Sequence, residues 1–261
     1  MTSRRNVLKL IGGGFVVAAA AGAGFVVTSG PSQDAREPWR RAGTYGEFRR
    51  RALSYALLAP NPHNRQPWIV RLDGQDSLTL YCDLDRRLPA TDPFDRQITI
   101  GCGAFLELLV QAAAEDGYQA TITPVPEGED MQSLDQRPIG LTTRATMADP
   151  KSTAFQQGLA LFRSMAMSAR AFGWITNENQ SRVEQINAGR AYVRLNLMAT
   201  KLGLGIHPWS QSLQEYVEMK ELYREVHDLI SDGKRIQMLF RIGYGPQIPP
   251  TPRRGLEAHL V

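Results

Sequence analysis

Ala59-Pro60-Asn61-Pro62-His63-Asn64-Arg65-Gln66-Pro67-Trp68 is the stretch around which the rest of the chain arranges itself. Three prolines in ten residues stop any helix arriving from the N-terminal side and hold the loop extended. Three carboxamides and an aromatic ring sit on this stiffened segment, where they have little freedom to lose on binding. A neutral amide donates and accepts at once, which suits a flat ligand edge of alternating carbonyl and N–H groups. The same amides also suit the humbler task of satisfying loop backbone.

Upstream, Phe48, Ala52, Tyr55, Ala56 and Ala59 fall at helical spacing, predicting a helix over 45–59. Downstream, Trp68-Ile69-Val70-Arg71-Leu72, a turn at Asp73-Gly74 and Ser77-Leu78-Thr79-Leu80-Tyr81-Cys82 read as a β-hairpin. Two further helices, Gly103 to Gly117 and Gly189 to Gly203, share a weak repeat in which Leu109 matches Leu195 and Ala113 matches Ala199. Strands are expected at 118–123 and 137–141, a helix at 153–171, and a helix opened by a Ser212/Glu215 capping box and running to about Ile230. The best candidate for a central strand is 235–242. The sum is an α+β domain with a central, mostly antiparallel sheet of four to five strands flanked by helices.

The N-terminus reads as an address. Ser3-Arg4-Arg5-Asn6-Val7-Leu8-Lys9 precedes an uncharged run from Leu10 to Val27, in the order of an export signal. Its paired arginines have the pattern of a twin-arginine signal, which carries proteins already folded around a cofactor. The run is weakened by five glycines yet long enough to span a bilayer, so a cleaved signal and an uncleaved membrane anchor both remain open. Residues 1–30 are therefore the signal or anchor, 31–43 a linker and 44–261 the domain. The expected location is exported, either periplasmic or tethered and facing the exterior, with the twin-arginine machinery as a partner.

Charge follows the same division. Four basic residues and one acidic lie in residues 1–36, whereas the rest of the chain carries 26 basic and 25 acidic. A near-neutral body argues against a nucleic-acid footprint. Scattered His63, His207, His227 and His259 lack zinc spacing, and two cysteines make no disulfide scaffold. Asp83, Asp85, Asp92 and Asp95 read as solvated turns beside competing arginines rather than a calcium loop. There is no nucleophile-elbow serine, phosphate-binding loop or dinucleotide fingerprint. Cys102 reads as a small buried hydrophobe and His207 as a packing residue.

The proline-rich loop resembles the Ala-Pro-Ser-x-x-Asn-x-Gln-Pro-Trp signature of FMN-dependent nitroreductases. The His-Asn pair and Arg86-Arg87-Leu88-Pro89-Ala90-Thr91-Asp92-Pro93 resemble their Acg branch. Gly203-Leu204-Gly205-Ile206-His207-Pro208-Trp209-Ser210-Gln211 is similar to the segment after that superfamily's long central helix. Arg241-Ile242-Gly243-Tyr244-Gly245 and Pro252-Arg253-Arg254 are similar to its last strand and tail. The resemblance implies a nitroreductase-like fold and an FMN cofactor. Pro60, Asn61, Pro62 and Asn64 would line the flavin and Gln66 with Trp68 would brace the loop; backbone groups around Pro208, Trp209 and Ser210 would approach N5, and Arg253 and Arg254 would hold the phosphate. It also implies a homodimer, a small-molecule electron donor and an electron-poor acceptor such as a nitroaromatic or quinone, with no catalytic side chain because flavin N5 carries the chemistry. Departures are visible too. The family's Arg-rich first-helix motif is absent, with Arg40, Arg41 and Arg49 to Arg51 the nearest substitutes, and no Arg-His-Thr-Asn-Arg stretch joins two halves as in longer Acg-type chains. These departures leave room for a flavin-binding protein without turnover, or for a cofactor-free tethered protein.

Overall fold

Alternation in the hairpin translates directly into burial. In the computed structural model, which describes residues 34–125 and 168–261 except 247, with scattered positions between 156 and 167, β1 (Trp68–Asp73) and β2 (Ser77–Cys82) pair antiparallel. Trp68, Val70 and Leu72 stand opposite Cys82, Leu80 and Leu78, so one face of the ribbon is apolar. That face packs on helix α2 (Phe48–Ala56) and the long helix α3 (Arg96–Glu115), with the Trp68 and Phe105 rings 5.1 Å apart. Arg49, on α2, clamps the hairpin turn by donating to the carbonyls of Asp73, Gly74 and Ser77.

The second sheet is separate and has the order β3 (Ala171–Asn177), β5 (Arg235–Gly243), β4 (Gly205–Pro208), all antiparallel. The expected central strand is thus central, with five buried residues in succession. One face of this sheet, through Ile175, Ile206, Met238, Phe240 and Ile242, covers α3 and α4 (Arg182–Lys201). The opposite face packs on α5 (Lys220–Ile230) through Ile236, Leu239, Val226 and Ile230. The α+β class therefore stands, but among the described residues the five strands form a two-stranded and a three-stranded sheet rather than one central sheet.

The weak repeat has a physical cause. α3 and α4 cross where a Cβ on Gly103 would lie 2.1 Å from the Ile186 carbonyl oxygen and one on Gly189 would lie 1.9 Å from that of Ile100. Each glycine meets the residue three positions before the other, so the two helices present equivalent faces to one another, and only glycine permits the approach. Nearby, buried Glu107 accepts from Arg190 Nε (2.9 Å), Arg194 Nη2 (3.0 Å) and Gln111 Nε2 (2.9 Å). Burial works to raise its pKa, but the hydrogen bonds from Arg194, Gln111 and Arg190 outweigh it and hold the carboxyl below its usual range. α3 is long and apolar enough to cross a membrane by length and composition, yet here it is a core helix whose charged Arg96 and Glu107 are both ion-paired.

Several expectations are corrected. α3 begins at Arg96, seven residues before Gly103, because Asp92 accepts from Gln97 N (3.1 Å) and Ile98 N (2.9 Å) and so caps the helix. Asp92 is buried, not solvated, and burial raises its pKa. Residues 118–123 form no strand, since Tyr118 stacks on Phe48 and the rest is mostly exposed without a pairing partner. The Ser212/Glu215 box opens no α-helix, because buried Arg96 takes the Glu215 carboxylate at 3.0 Å, and α5 starts at Lys220. Strand β3 was unforeseen, and Ala171, expected to end a helix, begins it. Residues 34–41, read as linker, form a 3-10 turn and α1 (Glu37–Arg41), which bind the C-terminal tail. The signal at 1–30 and the strand at 137–141 lie outside the described residues, as do eight positions of the helix expected at 153–171; positions 156, 159, 160, 163, 164, 166 and 167 of that helix are helical.

Candidate functional site

The loop that opened the sequence is built from unusual backbone. His63, Asn64 and Gln66 all adopt left-handed φ values of 49°, 52° and 50°, a conformation that asparagine tolerates better than most residues. The loop turns against α3 at Gly101, where a Cβ would meet Pro62 Cδ at 3.2 Å and Asn61 Cβ at 3.3 Å. Strain of this kind is kept only where surrounding contacts over-determine it.

Those contacts come from the far end of the chain. Asn64 Nδ2 donates to Pro252 O (2.9 Å) and its Oδ1 accepts from Arg253 Nη1 (2.5 Å). Gln66 Oε1 accepts from Arg254 N (2.8 Å), and Arg254 Nη2 donates to Gln66 O (2.9 Å). Within the loop, Asn61 Oδ1 accepts from Gln66 N (2.7 Å) and Asn61 Nδ2 donates to Ala59 O (3.1 Å). The structure therefore joins Pro60, Asn61, Pro62, Asn64 and Gln66 to Arg253 and Arg254 in one site.

Arg253 is the keystone, and its use differs from the expected phosphate fork. Nε donates to Leu57 O (3.2 Å) and Nη2 to Leu58 O (3.2 Å) and Ala59 O (3.3 Å), the carbonyls left over at the end of α2. Nη1 donates to Asn64, Thr251 and Pro252. All five N–H groups are thereby engaged, the Trp39 ring lies 5.5 Å from the guanidinium, and among the described residues no carboxylate faces it. Burial pulls its pKa down to about 10, still cationic at neutral pH. The substitutes suggested for a phosphate grip on the first helix are also committed: Arg49 to the hairpin, Arg50 to Glu257 and Arg51 to Asp116.

Pro208, Trp209 and Ser210 lie on other elements, at the end of β4 and the start of the 3-10 turn Ser210–Leu213. Trp209 N donates to Leu239 O (2.7 Å), which leaves that N–H committed to the sheet. His207 is exposed rather than packed, accepting from Arg241 Nε at 2.9 Å, and partial burial followed by Arg241 lowers its pKa.

What the loop and tail leave over is a set of donors. Arg254 Nε is buried without an acceptor among the described residues, and Asn61 and Asn64 each retain one amide N–H beyond the bonds above. With the cations of Arg253 and Arg254 bound to the same loop, these groups fit a ligand edged with carbonyl oxygens or bearing an anion.

Sequence reading missed His259, which locks the tail to the hairpin. Its Nδ1 donates to Trp68 O (2.9 Å), while His259 O accepts from Val70 N (2.7 Å) and Val70 O from Val261 N (3.1 Å), so that Leu260 bridges β1. Burial, then the cations of Arg254 and Arg86, push this imidazole down to about 4. A histidine depressed in the folded state binds fewer protons than in the unfolded chain, so its stabilisation is complete above pH 6.5 and is lost as pH falls toward 4. The expected loss between pH 7 and pH 5 is about 2 kcal/mol. Denaturation at the two pH values checks this, and a His259→Gln variant should show a flatter dependence; an equal dependence in both proteins contradicts the assignment.

No protein-family model matches the chain. Individual proteins do. A Mycobacterium tuberculosis protein whose given name proposes an NAD(P)H nitroreductase is 38% identical over 81 residues, 31% of this chain and 23% of the relative. The acg protein of the same organism, named in the same way, is 36% identical over 96 residues, 35% of this chain and 28% of its own. PigM of a Serratia strain, also named for NAD(P)H nitroreductase activity, is 32% identical over 76 residues, 29% of this chain and 21% of its own. The matches thus span about a quarter of each relative. Over part of its length the chain is related to the nitroreductase family.

Proposed function

We propose that this chain is an exported FMN-dependent oxidoreductase of the nitroreductase type, passing electrons to an electron-poor acceptor such as a nitroaromatic or a quinone. The observation that carries the proposal is the loop and tail site, with unused donors beside buried Arg253 and half-buried Arg254, in a chain partly similar to nitroreductases. Bound FMN supplies hydride and electron transfer at N5. The protein's share is to hold it: Asn61 and Asn64 offer amide N–H groups to carbonyl oxygens, Arg254 offers Nε, and Pro60 and Pro62 keep the loop rigid. The charge of Arg253 favours any negative charge placed over the loop without contacting it. Pro208, Trp209 and Ser210 are proposed to border the ring from the β4 side. Side chains need supply no general acid in such a reaction.

The working unit we propose is a homodimer. Leu197 and Met198 on α4, Leu202 just past its end, and Phe172 and Trp174 on β3 are apolar side chains left exposed, the kind of surface a second copy covers. The twin-arginine pattern supports export, with the apolar run as signal or tether. Export removes the protein from the cytoplasmic nicotinamide pool, so the donor is to be decided by assay. Anaerobic mixing of the FMN-loaded protein with NADH, NADPH and a quinol, followed at the flavin band, tests the function. Bleaching by one donor and recovery on adding a nitroaromatic or quinone are expected; a flavin that none of the three reduces contradicts turnover and leaves a binding protein.

Asn64→Ala is expected to weaken FMN binding at least tenfold, because it removes the amide and places alanine at φ 52°. Flavin retention on gel filtration measures the effect, and unchanged retention would show that the loop is not the cofactor site.

A further inference from the structure

Away from the loop and tail, a cleft of about 370 Å³ opens between the 214–217 segment, the start of α5 and the first residue of β5. Its volume lies in the range of small-molecule sites. Its lining includes Gln180, Glu215, Tyr216, Lys220, Tyr223 and Arg235. None of these belongs to the proposed flavin site.

The wall around Tyr223 is held in place. Its ring stacks on His227 at 4.1 Å, and His227 is fixed in turn: Nδ1 donates to Tyr223 O (2.8 Å) and Nε2 accepts from Ile236 N (3.1 Å). The Tyr223 hydroxyl accepts from Gln180 Nε2 (2.8 Å), and Arg235 is among the cations that favour its ionised form. A hydroxyl that accepts keeps its own proton, so Tyr223 still has a donor to offer. Glu215, the acid in the lining, is spent: one oxygen accepts from buried Arg96 (3.0 Å) and the other from Gln180 (3.1 Å). Lys220 and Arg235 form no ion pair among the described residues. Two cations and a hydroxyl donor therefore share a cleft that also carries two tyrosine rings and whose carboxylate is already neutralised.

We propose that this cleft is a second ligand site for a small planar carboxylate, with the carboxylate on Lys220, Arg235 and the Tyr223 hydroxyl and the ring against Tyr216 and Tyr223. Anionic recognition comes from charge-assisted hydrogen bonds and ring selectivity from the tyrosines. A neutral analogue loses the first, and a ring-free anion loses the second.

Calorimetric titration of the full chain with 2-naphthoate tests this, with 2-naphthamide and inorganic phosphate as the neutral and ring-free comparisons. Naphthoate is expected to bind with a submillimolar Kd and the two comparisons at least tenfold more weakly. Lys220→Gln combined with Arg235→Gln should weaken naphthoate at least tenfold, as both side chains are exposed and the fold should survive. Tyr223→Phe, which removes only the hydroxyl, should weaken it several-fold, and Lys201→Gln should leave it unchanged. Saturating FMN should not alter naphthoate affinity. Binding of naphthamide as tight as naphthoate, full affinity in the double variant, or no heat at millimolar naphthoate would each overturn the proposal.

Discussion

Alanine at Gly189 is expected to destabilise the protein by about 3 kcal/mol or more, at the upper end of what overpacking a core costs. The new methyl would sit 1.9 Å from the Ile100 carbonyl oxygen and 2.8 Å from Ala104 N, both main-chain atoms on a neighbouring helix. A flexible side chain could swing away from such a contact; helix backbone cannot without separating α3 from α4. Separation would in turn stretch the bonds from Arg190 and Arg194 to Glu107 and open the apolar layer of Ile100, Ala188 and Tyr192. Gly103→Ala, facing Ile186 O at 2.1 Å, should behave alike. Urea denaturation measures both. Gly203→Ala serves as a comparison of a different kind, since its φ of 72° carries a backbone cost but its Cβ meets nothing within 4 Å. A Gly189→Ala protein as stable as the parent contradicts the close crossing.

Removal of the Arg253 guanidinium is the second large effect. Arg253→Gln should cost about 3 kcal/mol, because the carbonyls of Leu57, Leu58 and Ala59 lose their donor in a site too buried for water to replace it fully. The tail would lose its grip on the loop, and Asn64 Oδ1 its partner. Increased protease cleavage near residue 250, together with the lower urea midpoint, is the expected signature. Arg253→Lys should recover little, since an ammonium cannot span acceptors from α2, the loop and the tail at once. A loss below about 1 kcal/mol for Arg253→Gln contradicts the role given to it here.

These two positions show how differently the parts of the molecule were written in the sequence. The hairpin was legible because Trp68, Val70 and Leu72 alternate and Asp73-Gly74 turns. The central strand was legible from Ile236, Met238, Leu239, Phe240 and Ile242, five apolar residues within seven. Even the helix crossing left a trace, as the recurrence of Gly, Leu and Ala at matching spacing in α3 and α4. By contrast, β3 was hidden because Gly173 interrupts its apolar run; glycine is there because the Phe240 ring occupies the place of a Cβ, at 2.6 Å. The false capping box at Ser212 and Glu215 failed for a tertiary reason, Arg96 reaching across 119 residues to claim the carboxylate.

The candidate site divides in the same way. Local chemistry marked the proline-rich loop and its amides. What the amides do was not local: Asn64 and Gln66 are bound by a tail 188 residues away, and Arg253, expected to grip a phosphate, instead caps the end of α2. Residue type announced a cation near the site, but only the fold showed that its five donors are already spent and that Arg254 Nε is the group left over.

The central claim is that this loop and tail hold a flavin, and an absorption spectrum of the purified chain tests it most directly. The protein is expected to be yellow as isolated, or after addition of FMN and gel filtration, with the absorption bands of oxidised flavin at about one FMN per chain. A colourless protein that retains no added FMN would contradict the claim.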